Sequence, residues 1–511
     1  MKKIYRLLYS NKFVAMVMLL MQIITFVAMY IWISDYSKVL FGLSTVLSAV
    51  LIIFEINRTE ESTFKMTWIT LIAIIPIFGA LFYLFTRAQG VSMNIGDDYK
   101  NIQEANKKYL VQDEDVMKNI YQTDKNQDGF ARYLSKYGGS PAYTNTGVQY
   151  YSIGERMFED MKKELLKAEK FIFLEFFIIN HTSRMWNEIL EILKKKVKQG
   201  VEVRVMYDGM GCIVTLPRKY NEYLERHGIK CRIFSPIVPL LSTHQNNRDH
   251  RKIMVIDGAV AFCGGINISD EYINEKMRFG HWKDTGFMLR GEAVAGFTAM
   301  FLEMWNVNDE HIEDCGEYIQ ASKKYSVSTD GFVIPFGDTP LDEVYVGKRA
   351  YINNLNNASE YAYIMTPYLV IDDEMYECMK YAAQRGVDVK IIMPHIPDKK
   401  YAFYLARTYY KELLKAGIEI YEYTPGFVHA KMSISDGKKA IVGTVNHDYR
   451  SLYLHYECAA YMLNVPAVMD IERDFKDTLE LSQKITLEDV KHFNVFTKIL
   501  GHIIRLVAPL L

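Results

Sequence analysis

The chain has no excess of either charge. Its 511 residues carry 60 Lys and Arg against 61 Asp and Glu, a formal charge of -1, which argues against a protein whose main task is gripping nucleic acid by its phosphates. It is also poor in cysteine chemistry. The six cysteines, Cys212, Cys231, Cys263, Cys315, Cys378 and Cys458, are scattered with no Cys-x-x-Cys pair, and no histidines cluster at zinc-ligand spacing. They read as ordinary buried thiols, with no metal or redox site. A calcium loop is excluded in the same way: Asp124-x-Asn126-x-Asp128-Gly129 imitates its start, but Ser135 stands where the twelfth-position glutamate is required. No short apolar core followed by a small-residue cleavage site marks a removable signal peptide.

Charge is also missing from three stretches near the N-terminus. Phe13 to Ile33 and Met66 to Phe85 are long enough to cross a bilayer as helices, and Val39 to Phe54 is a shorter candidate. The last run carries Pro76 and Gly79, which spanning helices tolerate. Residues 1–90 are therefore expected to be a transmembrane anchor of two or three helices. Lys2, Lys3, Arg6 and Lys12 favour a cytoplasmic N-terminus, but the side on which the remainder lies depends on whether the middle run crosses. Residues 91–148 read as a polar linker, and residues 491–511 as an amphipathic segment suited to a lipid interface.

Between these lie two copies of one pattern. Phe171 to Asn180 is a buried-strand signal, Met185 to Val197 has helical periodicity, and Val201 to Tyr207 is again strand-like. The order recurs in Ala362 to Met365, Met375 to Arg385 and Val387 to Met393. Matching glycine turns, Lys198-Gln199-Gly200-Val201 and Gln384-Arg385-Gly386-Val387, precede the second strand of each copy. The fold class is α/β, with two pseudo-symmetric domains of mixed sheets flanked by helices, over 149–320 and 321–490.

Each copy contains His-x-Lys-x-x-x-x-Asp: His250, Lys252 and Asp257, then His429, Lys431 and Asp436. One such match arises by chance in a chain of this length at a rate on the order of a few per cent; two, one per repeat, do not. An asparagine follows each histidine by seventeen residues, Asn267 and Asn446, after Cys263-Gly264-Gly265 and Gly443-Thr444. In a strand, residues i and i+2 share a face, so each His-Lys pair addresses one site. Two histidines, two lysines and two asparagines suit a phosphodiester: lysine supplies charge, asparagine neutral donors, and histidine attacks phosphorus or moves protons. The aspartates stand an odd number of residues away and face elsewhere, so a structural role in turns is expected for them, although the motif groups all six residues as one catalytic set.

These residues carry a resemblance. HRKIMVIDGAVAFCGGINISDEY and WKDT in the first copy, with TPYLVIDDE, AAQRGVDVKIIMP and HAKMSISDGKKAIVGTVNHDYRS in the second, resemble the phospholipase D superfamily and, within it, the bacterial cardiolipin synthases, over about 150 to 480. The resemblance implies phosphatidyl transfer from one phosphatidylglycerol to another through a phosphohistidine, at a multi-pass plasma-membrane location. It implies no cofactor and no metal; the partners would be phosphatidylglycerol and membrane lipid, without nucleic acid, and a homo-oligomer is compatible with it. By analogy His250 is the nucleophile and His429 the acid/base, although the motif makes them equivalent. Asp284 and Glu457 match the acids that orient them. A phospholipase D or phosphatidylserine synthase would share the chemistry with another acceptor, a nuclease would share the motif, and a silent scaffold would share only the fold. His455 stands where an asparagine is common, and Asn446 is followed by His447 rather than Leu or Met. His244 and His281, which flank the first motif, read as surface or supporting residues.

Overall fold

Strands covered on both faces read as near-continuous apolar runs, and Phe171–Phe176, Lys252–Ile256, Val260–Gly264 and Lys439–Gly443 are buried at every position. In this computed structural model, which describes residues 20, 24, 35–87, 92–236, 246–307, 309 and 312–510, those strands form two sheets of matching topology. The first runs Thr146–Tyr151, Gly286–Gly291, Val260–Gly264, Lys252–Ile256, Phe171–Phe176, Glu202–Asp208, Lys230–Phe234. The second repeats the order with Phe332–Asp338, His455–Leu463, Lys439–Gly443, Met432–Ser435, Tyr361–Met365, Asp388–Pro394 and Glu419–Tyr423, and adds Ser482–Ile485 at its edge. In both, three parallel strands continue into antiparallel ones.

The helix between the first two parallel strands starts on a side-chain cap in each copy. Ser183 accepts from the Trp186 amide ahead of Arg184–Lys198, and Asp372 from the Met375 amide ahead of Asp373–Gln384. Both helices then end in turns whose glycines, Gly200 and Gly386, have φ of 87° and 98°, a conformation other residues resist. The sheets share one core, in which Phe173, Val255 and Cys263 of the first copy join Ile392, Val442 and Cys458 of the second. Helix Val294–Asn306 is buried along its entire length within this layer, as a helix apolar nearly all round should be.

The expected linker is instead structured. Helices Ser92–Asn106, Glu114–Thr123 and Lys125–Tyr137 occupy it; Tyr99 donates to Glu303, and Phe130 packs edge-on against Tyr461 at 5.1 Å. The linker reading followed its many polar residues, but those lie on the outer faces of amphipathic helices. Asp124, the first residue of the calcium-like stretch, caps the helix Lys125–Tyr137 through the Asn126 amide.

The described residues of 1–94, 237–247 and 502–511 form one compact unit, and 95–236 with 248–501 the other. In the first, the run Met66 to Phe85 is not one helix. Pro76 lacks the amide that would continue it, Ile75 leaves helical geometry at φ -128° and ψ 72°, and two helices result, Ser62–Ile74 and Pro76–Arg87. They fold back on each other with Trp68 against Tyr83 at 5.4 Å. The middle run lies within helix Asp35–Ile56, and most of Phe13 to Ile33 lies outside the described residues, as does His244. Among the described residues no helix is long and apolar enough to cross a membrane.

Candidate active site

The two copies are stitched together at the motif histidines. Arg248–Asp249, just before His250, pairs in parallel with His455–Tyr456 of the second copy, and Gly426–Val428, just before His429, pairs with His281–Lys283 of the first. The His250 amide donates to the Tyr456 carbonyl at 3.0 Å and the His429 amide to the Lys283 carbonyl at 2.7 Å. Each histidine is thereby delivered beside a carboxylate of the opposite copy. His250 Nδ1 lies 2.9 and 3.0 Å from the two Glu457 oxygens, and His429 Nδ1 lies 2.6 Å from Asp284 Oδ2. A carboxylate at Nδ1 holds the proton there and leaves the Nε2 lone pair free.

The two carboxylates are held differently. Asp284 accepts from the Thr285 amide at 2.9 Å and from the Trp282 indole at 3.3 Å. It fits because residue 265 is glycine: a Cβ there would lie 2.0 Å from Asp284 Oδ1. At the matching position of the second copy stands Thr444, whose hydroxyl donates to the longer Glu457. His281, read as a supporting residue, places Nδ1 3.0 Å from the Tyr423 hydroxyl.

Lys252 and Lys431 are almost wholly buried, at 1% and 0% exposure, and each ammonium donates to the carbonyl of its own motif histidine. Burial is the main influence on the titration of all four groups. It drives His250 well below the usual imidazole range, reinforced by Lys252, Lys431 and His429. It drives His429 to about 4, with Lys431 adding to the fall and Asp284 opposing it. Lys431 is lowered to about 7 by burial and Lys252, against the pull of Asp284 and Glu457. Burial would raise Asp284, yet His429 and Lys431 hold it below the ordinary carboxylate range. Because groups from both copies act on one another in this way, the two motifs make one coupled site.

The remaining sequence-derived residues divide. Asp257 and Asp436 are outside the cluster: both take φ of 54°, Asp257 accepting the amides of Glu169, Lys170 and Phe171 and Asp436 those of Ser359, Glu360 and Tyr361. They tie the motif turn to the start of the neighbouring strand, so their inclusion in the catalytic set is corrected to a structural role. Asn267 spends its oxygen on the Ile178 amide and a hydrogen on the Tyr272 hydroxyl, whereas buried Asn446 Oδ1 has no partner. Sequence reasoning passed over Thr444 as merely small, and gave no role to Trp282, which packs 5.2 Å from His429. Its position two residues before Asp284, on the same strand face, is the signal that could have found it.

One group among the described residues could by atom type hold a metal: His250, His455 and Glu457 offer ligand atoms within 4.8 Å of one another. The field of Lys252, Lys431 and Lys399 that disfavours a proton on His250 opposes a metal cation there too.

Comparisons with known proteins agree with this geometry. A family model described as "Cardiolipin synthase, PLD-like domain" matches residues 161–305 and 351–479, and one described as "Phospholipase_D-nuclease N-terminal" matches 45–87. A cardiolipin synthase of Alkalihalophilus pseudofirmus is 33% identical over 95% of this chain and 97% of its own length. An uncharacterized protein of Streptococcus mutans is 49% identical over 90% of this chain and 99% of its own. The crystal structure of phosphatidylserine synthase from Haemophilus influenzae is similar in fold, with a TM-score of 0.56 at 13% identity over 76% of this chain and 98% of that one. With its duplicated motif assembled across the two copies and the family model matching both, the chain belongs to the cardiolipin synthase family of phospholipase D-like proteins.

Proposed function

We propose that the chain is a cardiolipin synthase, transferring a phosphatidyl group from one phosphatidylglycerol to the terminal hydroxyl of a second and releasing glycerol. The observation that carries this reading is the reciprocal bracing of His250 by Glu457 and of His429 by Asp284, which gives two oriented imidazoles among buried lysines. His250 Nε2 attacks phosphorus, the bond from phosphorus to the glycerol oxygen breaks, and His429 gives that oxygen a proton. The hydroxyl of the second phosphatidylglycerol then attacks, its proton returns to His429, and the bond between phosphorus and His250 breaks. Lys252 and Lys431 offset the charge of the non-bridging oxygens.

The division of labour is supported by the surroundings of each ring. Asp284 pulls the His429 proton affinity upward against the fall that burial imposes, and Tyr272, Trp282 and Phe427 surround that ring at 5.5, 5.2 and 5.7 Å. The nucleophile must be neutral, and His250 is the ring on which burial and three cations act together.

The substrates place the enzyme at a membrane. The charge-free runs Phe13 to Ile33 and Val39 to Phe54 support a membrane anchor, and the helix Val495–Arg505 adds an apolar face, with Val495, Phe496, Ile499 and Leu500 exposed and no acidic residue after Asp489. The test is mass spectrometry of lipids from vesicles containing only phosphatidylglycerol and this protein. Cardiolipin is expected with the native chain and none with His250→Ala. Phosphatidic acid in place of cardiolipin would mean that water is the acceptor, and full activity of the variant would rule the mechanism out.

A further inference from the structure

Glu457 has a neighbour that the mechanism does not use. His455 Nδ1 stands 3.6 Å from Glu457 Oε1, and its ring lies 5.4 Å from that of His250. The residue is 9% exposed, and neither of its ring nitrogens has a partner. A buried donor left unmatched costs about 1–3 kcal/mol, so packing alone does not account for an imidazole here.

The other half of the site shows what this position does. Trp282 precedes Asp284 by two residues as His455 precedes Glu457, and on a strand such pairs share a face. The Trp282 indole N–H donates to Asp284. Each orienting carboxylate therefore has a nitrogen-bearing ring beside it on its own strand, and only the second is short of a hydrogen bond.

We propose that His455 is a positioning residue for His250, closing the small gap to donate its Nδ1–H to Glu457 as the reaction begins. When His250 Nε2 bonds to phosphorus, its ring becomes cationic while keeping the Nδ1 proton, and Glu457 is the counter-charge. A donor on the far side of Glu457 keeps that carboxylate aligned through the step. The titratable and charged groups facing His455 are Glu457, His250 and Arg450. The role assigned to His455 rests on the proposed function, with His250 as the group that bonds phosphorus.

The test compares His455→Asn, which keeps a donor, with His455→Leu, which has nearly the same shape and no donor. Rapid-quench phosphohistidine formation, kcat and KM are measured on phosphatidylglycerol vesicles across pH 5 to 9, with thermal melting as the check on folding. His455→Leu is expected to slow phosphohistidine formation about tenfold, the lower end of what loss of an orienting partner costs, with KM within about twofold. His455→Asn is expected to recover most of the rate. If His455→Leu melts early, His455→Gln against His455→Met makes the same comparison. Equal rates for the donor and non-donor variants would overturn the proposal, as would a change confined to KM, which would indicate contact with substrate. Lipid synthesis persisting in His250→Ala would instead defeat the function on which the proposal rests, whatever the His455 variants do.

Discussion

The two halves of the site do the same thing with different parts. Around His429 the brace is a short carboxylate, Asp284, brought close by the missing side chain of Gly265 and tied to an indole. Around His250 the brace is a longer one, Glu457, and the Thr444 hydroxyl fills the space that Gly265 leaves empty. Reach and bulk have changed together, so both imidazoles remain held at Nδ1. What differs is the wall: three aromatic rings enclose His429, while Phe177 at 5.0 Å and His455 adjoin His250. The two copies thus hold both imidazoles in the same way and differ in the residues that support them.

The sharpest way to break this comparison is to remove the braces. Asp284→Asn keeps the shape and loses the charge that fixes the tautomer, and turnover is expected to fall about 10³- to 10⁴-fold. Glu457→Gln is expected to fall comparably, with phosphohistidine formation itself slowed. In Asp284→Asn the loss concerns proton transfer, so a substrate with a more acidic leaving alcohol restores much of the first step. Burst kinetics with such a substrate separate the two.

Exchanging the filler residues comes next. Gly265→Ala drives a methyl into Asp284 and is expected to destabilise the fold by about 3 kcal/mol as well as displacing His429. Thr444→Val removes the hydroxyl that donates to Glu457 and accepts from the Cys458 amide, about 1–3 kcal/mol for each bond, and leaves the backbone in place. Thermal melting measures the two, and an unchanged melting point in either variant would contradict the geometry.

The smallest effect concerns pH. Lys431, lowered to about 7 mainly by burial, is charged below that value and neutral above it. Phosphate binding by the free enzyme therefore weakens, and kcat/KM falls, as pH rises through about 7. Lys431→Arg stays charged and is expected to carry the plateau to higher pH, which a pH series of initial rates would check.

Much of this was legible in the residues. The repeated order of apolar runs and glycine turns set out two α/β copies, because burial on both faces leaves a continuous hydrophobic strand. The paired motifs marked the site. Which carboxylate serves which histidine was not legible: His250 and Glu457 are 207 residues apart in sequence and His429 and Asp284 145 apart. No local periodicity encodes that each brace crosses to the other copy. The run Met66 to Phe85 misled because hydropathy sums residues without regard to the amide that Pro76 lacks. The helices after residue 91 were hidden by polar outer faces, since the apolar stripe that packs Met117, Ile120, Phe130 and Leu134 is thin.

The most direct test of covalent catalysis by one particular ring is to quench the enzyme during turnover of phosphatidylglycerol labelled at phosphorus and map the label by peptide mass spectrometry under alkaline conditions. Label on the peptide containing His250, retained in His429→Ala and absent from His250→Ala, is the expected result. Label on His429, or cardiolipin formed at full rate with no labelled histidine, would contradict it.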